Sequence, residues 1–141
     1  MCMKSMQKWY NADTGLLMLR VTTGLVFLYH GWTKLQGIDG VGMFFGSLGI
    51  PLASVMAWVV ALVEFVGGIA LLTGVYSRVA AKLLAVTMIV ALLTAHIDGP
   101  WKSAELPLVL LGAMFAIAMG GPGAYVAMKK DCTYLGWCRK A

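Results

Sequence analysis

The sequence predicts an all-α integral membrane protein, a four-helix bundle with both termini in the cytoplasm. Three observations carry this expectation. The chain has 141 residues, 60% hydrophobic and only 12% charged, with a mean hydropathy of +0.83. Soluble domains typically carry about 25% charged residues. The apolar residues fall in four runs of roughly bilayer-crossing length. The basic residues gather at the ends of those runs. Eight (Lys4, Lys8, Arg78, Lys82, Lys129, Lys130, Arg139 and Lys140) fall on the side of the tails, and two (Lys34 and Lys102) on the other. By the positive-inside rule this split puts both tails in the cytoplasm. The net charge of +5 is then a topology signal, not a footprint for nucleic acid.

Residues 1–14 form a cationic lead with Trp9 and Tyr10 as interfacial anchors. Asp13 or Thr14 caps the first span, Gly15–Leu35. This run is too long for a signal-peptide core and contains Arg20, and no small-residue cleavage pattern follows it, so it is expected to persist as a span. Gln36–Pro51 is a glycine-rich loop made amphipathic by Phe44 and Phe45. It is expected to lie on the membrane surface or fold back over the bundle, with a short helix at Val41–Leu48. The second span, Leu52–Thr73, stops at Gly74. On it, Ala53, Ala57, Ala61 and Gly68 share the face of Glu64 at a spacing that lets helices approach closely. A tight turn through Arg78 returns the chain into an antiparallel third span, Ser77–Ile97, with Lys82 snorkelling near its start. Residues 98–103 read as a turn. The fourth span, Ala104–Gly120, carries Glu105 and Pro107 in its first turn and ends at a Gly-Gly-Pro-Gly run. The membrane domain thus covers residues 15–125, between the N-terminal tail and a basic C-terminal tail, 126–141.

The first span holds the candidate functional residues. At about 100° per residue, Phe27, Gly31 and Lys34 fall within roughly 40° of Arg20, and Thr23, Gly24 and His30 flank that sector. Charge inside a span is costly and usually faces a bundle interior. Two clusters follow from the topology. Arg20 and Glu64 are expected to form an intramembrane ion pair, because counting from the span ends puts their depths ~6 Å apart. Such a pair is a brace, or a relay for protons. On the opposite side, His30, Lys34, His96 and Glu105 reach one level from three helices, with Asp98 in the loop and Trp32 and Trp101 nearby. They are expected to border a pocket for an amphipathic small molecule. The plainer alternative is a set of helix-end residues meeting water. Cys2, Cys132 and Cys138 all lie in the tails. An odd count without a Cys-x-x-Cys spacing argues against a disulfide framework. No motif for haem, flavin or metal is present.

These residues resemble the DoxX family of small four-span bacterial membrane proteins. The resemblance runs from about Leu16 to Gly123. It is carried by Arg20, Gly24, Phe27, His30-Gly31 and Lys34-Leu35 in the first span, and by Glu64, Gly67-Gly68 and Leu71-Leu-Thr-Gly74 in the second. Arg78-Val-Ala-Ala81, His96, Glu105 and Gly121-Pro-Gly123 complete the set. The resemblance implies a bacterial inner-membrane protein in a redox setting. Family members are similar to the quinone-linked small subunit of an archaeal thiosulfate:quinone oxidoreductase, or to membrane partners of oxidative-stress and sulfur-handling enzymes. The implied cofactor is a quinone. The implied partners are the lipid bilayer, a redox protein and a second copy of the chain. A non-enzymatic membrane scaffold stands as the alternative, and a small proton-coupled transporter as a third. The absence of a visible repeat or broken helix speaks against the transporter. The spans contain no cysteine, so disulfide exchange with quinone is not expected.

Overall fold

A computed structural model describes residues 11–95 and 100–127. Five helices account for most of the described chain: α1 Ala12–Gln36, α2 Ile38–Ser47, α3 Ala53–Thr73, α4 Ser77–Ala95 and α5 Trp101–Gly120. All but α2 are long and apolar enough to span a membrane, and there is no strand among the described residues. The four long helices form the expected all-α membrane bundle. Their outer faces carry large apolar side chains such as Leu25, Val55, Val66, Val86, Val109 and Met119, all exposed. That surface suits lipid, not water.

Local chemistry sets the helix ends. The side chain of Asn11 accepts a hydrogen bond from the Thr14 amide at 2.8 Å and caps α1. The helix therefore starts three residues before the expected Gly15. Asp13 does not cap it. Its carboxylate accepts from the Ala124 amide at 3.0 Å and ties the end of the bundle to its beginning. At the other end of α1 the Gly37 amide closes onto the Thr33 carbonyl, and α2 follows at once. Gly74 ends α3 with φ +77°, a conformation suited to glycine, and its amide donates to the Ala70 carbonyl. The start of α5 also differs from expectation. Pro100 is the cap, so Pro107 lies inside the helix and not in its first turn. A proline there has no amide to donate, which leaves the Ser103 carbonyl without its intrahelical partner.

Two helix pairs build the bundle: α1 packs on α3, and α4 on α5. The first pair is close because small residues meet backbone. A Cβ on Gly31 would lie 2.4 Å from the Phe65 nitrogen, and one on Gly68 would lie 2.7 Å from the Leu28 nitrogen. The start of α1, the α3–α4 turn and the end of α5 share one side, here the tail side. The α2 segment, the end of α4 and the start of α5 share the other, the loop side. The apolar core occupies the tail-side half, where Leu71, Ala81, Leu84, Met114 and Ile117 are buried. The loop-side half is less filled.

Candidate functional site

The loop-side half of the bundle holds a cavity of about 520 Å³. Phe27, Met88 and Leu110 belong both to the core and to the cavity lining, so they form its floor. Helix α2 folds back over the bundle and contributes Val41, Phe44, Phe45 and Leu48. The aliphatic walls come from the loop-side halves of α3, α4 and α5. Among the described residues, His30, Lys34 and Glu64 are the ionisable side chains that line it.

Lys34 Nζ donates to Glu64 Oε1 at 2.5 Å. The glutamate side chain is 2% exposed and that of the lysine 28%. The geometry follows from helix direction. Side chains on an α-helix lean toward its N-terminus. Lys34 sits in the last turn of α1, so its stem runs back into the bundle. Glu64 meets it there, opposite Gly31, whose missing side chain brings α3 within reach. Glu64 Oε2 is fully buried and has no hydrogen-bond donor among the described residues.

The expected Arg20–Glu64 ion pair is not formed. Arg20 is 1% exposed, and its guanidinium bonds to backbone carbonyls on the tail side. Nε donates to Leu71 O at 3.0 Å, and Nη1 to Tyr125 O at 2.9 Å and to Pro122 O. A Cβ on Gly74 would touch the same guanidinium, so Arg20 is level with the end of α3. The depth estimate assumed that the first span starts level with the end of the second. In the structure α1 overhangs it, and Arg20 leans further toward the tail side.

The outer cluster is brought together only in part. His30 and Lys34 share the cavity. Glu105 is exposed on α5 and lies outside the lining, because the helix begins earlier than expected and turns this residue away. His96 and Asp98 lie outside the described residues, as do Cys2, Cys132 and Cys138. Trp32 packs on Phe65, with ring centroids 6.0 Å apart, and Trp101 is exposed. Neither lines the cavity. Sequence reasoning did not place Glu64 in this site. It also missed Thr87, Ser103 and Pro107 in the lining. The Phe44-Phe45 pair, set in a loop expected to fold back, was the available signal for the contribution of α2.

A second depression, about 550 Å³, lies between α3 and α4. Aliphatic residues such as Leu62, Val66 and Val79 line it, and its one ionisable group is Tyr76. It offers contact area without the polar groups that orient a ligand. The first cavity has both. Its length of apolar wall suits a hydrophobic ring, and Lys34 and His30 can donate to ring oxygens. A quinone-like molecule therefore fits the residues present.

Comparison with known proteins agrees with the architecture. The DoxX family model matches residues 15–97. The chain is 39% identical over 110 residues to a Bacillus subtilis (strain 168) protein named "Putative oxidoreductase CatD", covering 77% of this chain and 81% of that one. It is 30% identical over 117 residues to the inner membrane protein YqjF of Escherichia coli (strain K12), covering 80% and 88%. It is 29% identical over 122 residues to the inner membrane protein YphA of the same organism, covering 77% and 84%. No solved structure matches the chain. With four spans, a matching family model over more than half its length and relatives of the inner membrane, this chain belongs to the DoxX family and is a multi-pass protein of the bacterial inner membrane.

Proposed function

We propose that this protein is a quinone-linked membrane subunit of a redox system, with the loop-side cavity as the site for the quinone ring. The observation that carries this reading is the placement of the Lys34–Glu64 pair, its carboxylate buried, in the wall of a mostly apolar cavity. An apolar slot with a few placed polar groups is the ordinary form of a small-molecule site. Quinone reduction takes up two protons with two electrons. Lys34, Glu64 and His30 are groups able to carry protons to and from ring oxygens. Electrons come from, or pass to, a partner protein. The name of the Bacillus subtilis relative supports an oxidoreductase setting. The split of basic residues supports cytoplasmic tails, which puts the cavity in the outer half of the membrane.

The test is binding of decylubiquinone and, anaerobically, of decylubiquinol to the protein in lipid nanodiscs, read by tryptophan quenching; binding of either form counts. Ala91 lines the cavity and carries none of the polar groups. Saturable binding by the wild type, lost in Ala91→Phe at unchanged thermal stability, supports the site. Binding that survives Ala91→Phe, or no saturable binding at all, refutes it and leaves the scaffold reading.

A further inference from the structure

We infer that the cavity selects the hydroxyl-bearing, reduced form of its aromatic ligand, because Glu64 Oε2 is a buried acceptor that needs a donor. This rests on the small-molecule reading of the cavity and specifies which ligand chemistry it takes. Four observations carry it.

The first is the geometry of the carboxylate. Lys34 satisfies Oε1, whereas Oε2 is fully buried and has no donor among the described residues. An ionised carboxylate is an acceptor only. Leaving such an atom unpaired away from water is costly. Glu64 forms part of the cavity wall, so a small rotation of its carboxylate would open Oε2 to a donor in the cavity.

The second is the chemistry of the neighbour. An ammonium has three donors and no acceptor, and Lys34 uses one of them on Glu64. A hydroxyl can donate to Oε2 while its oxygen accepts from Lys34. A ketone oxygen can accept from Lys34 but brings no proton to Oε2, and its lone pairs face a carboxylate. The pair is matched to a hydroxyl and mismatched to a carbonyl.

The third is the opposite wall. Pro107 deprives the Ser103 carbonyl of its helical donor, and both residues line the cavity. A carbonyl so freed is an acceptor with no proton of its own, although Ser103 is exposed and water also reaches it. The fourth is the state of the other hydroxyls. Thr87 and Thr94 both line the cavity, and each donates back to its own helix, to Leu84 O and Val90 O at 2.8 Å. Their protons are already used. Lys34 and His30 remain as donors in the same lining, so a hydroxyl, which both donates and accepts, meets both kinds of group, whereas a carbonyl meets only the donors.

The test uses three probes of one shape: trimethylhydroquinone, trimethylbenzoquinone and the dimethyl ether of the hydroquinone. Binding to the intact protein in nanodiscs is measured anaerobically by titration calorimetry. The hydroquinone should bind at least about tenfold more tightly than either other probe, the factor a hydrogen bond to a charged group carries. Glu64→Gln gives a second, sharper expectation. Lys34 can only donate, so it holds the amide oxygen and turns the amide N–H₂ to the position of Oε2. The preference should then disappear or reverse toward the benzoquinone. If the wild type binds all three probes alike, as it would if water satisfied Oε2, the selection is wrong and the pocket itself stands. The selection is equally refuted, with the pocket intact, if Glu64→Gln keeps the hydroquinone preference. If no probe binds, the small-molecule reading falls and the selection falls with it.

Discussion

The sharpest stability prediction concerns which cation neutralises Glu64. Substituting Lys34 by methionine keeps the apolar stem and removes the charge. It leaves the carboxylate of a residue 2% exposed without its partner. Breaking a buried pair from one side typically costs about 3–5 kcal/mol. The lysine side chain is 28% exposed, so water screens part of the interaction and the lower end, about 3 kcal/mol, is expected. Glu64→Leu should cost less, because the freed lysine can extend toward the loop side. Removing both charges leaves an apolar contact, for which costs near zero are common. The cycle of Lys34→Met, Glu64→Leu and the double variant should therefore show about 2–3 kcal/mol of coupling. Arg20→Met with Glu64→Leu should be additive within about 0.5 kcal/mol, as expected for sites that share no partner. The assay is reversible unfolding in mixed micelles by titration with dodecyl sulfate, followed by tryptophan fluorescence. Additivity in the lysine cycle, or stronger coupling in the arginine cycle, would refute the assignment.

Arg20→Lys should loosen residues 121–127, because one ammonium cannot span the carbonyls of Leu71, Pro122 and Tyr125 as the guanidinium does. Faster amide hydrogen exchange in that segment, with little change in α2, is the expected signature, and unchanged exchange there would count against the clamp. Gly31→Ala places a Cβ 2.4 Å from the Phe65 nitrogen. It should force α1 and α3 apart at a cost of about 1–3 kcal/mol, measured in the same unfolding assay. Impermeant thiol reagents applied to intact cells should miss Cys2, Cys132 and Cys138, as the charge split puts both tails inside; labelling of all three from outside would reverse the topology.

Much of the fold was legible because a span's inward face has a period. The sector chosen from Arg20 contained Thr23, Gly24, Phe27 and Gly31, and all of these are buried with it. The face of α3 through Ala57, Ala61, Glu64 and Gly68 is likewise buried. What failed was register. A helical wheel fixes direction around an axis but not height along it. The heights of Arg20 and Glu64 were counted from span ends, and α1 begins earlier than its apolar run because Asn11 supplies the cap. The pairing of Lys34 with Glu64 needed two further facts: that Gly31 lets α3 approach, and that a lysine near a helix C-terminus leans inward. Both are properties of packing. The misplacement of Glu105 has the same origin. It lies in the second turn of α5 and not at its start, so the helix, and not the preceding loop, sets its direction.

The void and the ion pair do not carry equal weight as evidence of a ligand. In a bilayer, lipid tails are as apolar as leucine, so an apolar gap between helix pairs can be filled by acyl chains at little cost. The pair is different. Replacing a buried salt bridge by apolar residues of similar size is often neutral or stabilising, so the bundle gains little from Lys34 and Glu64 as a brace. Arg20 shows what a brace looks like here: buried, and bonded to carbonyls that close the tail side. Glu64 instead keeps one oxygen paired and one without a donor among the described residues, in the wall of the loop-side cavity. That asymmetry, beside a cavity, is the feature on which the proposed recognition of a molecule that brings its own proton to the wall rests.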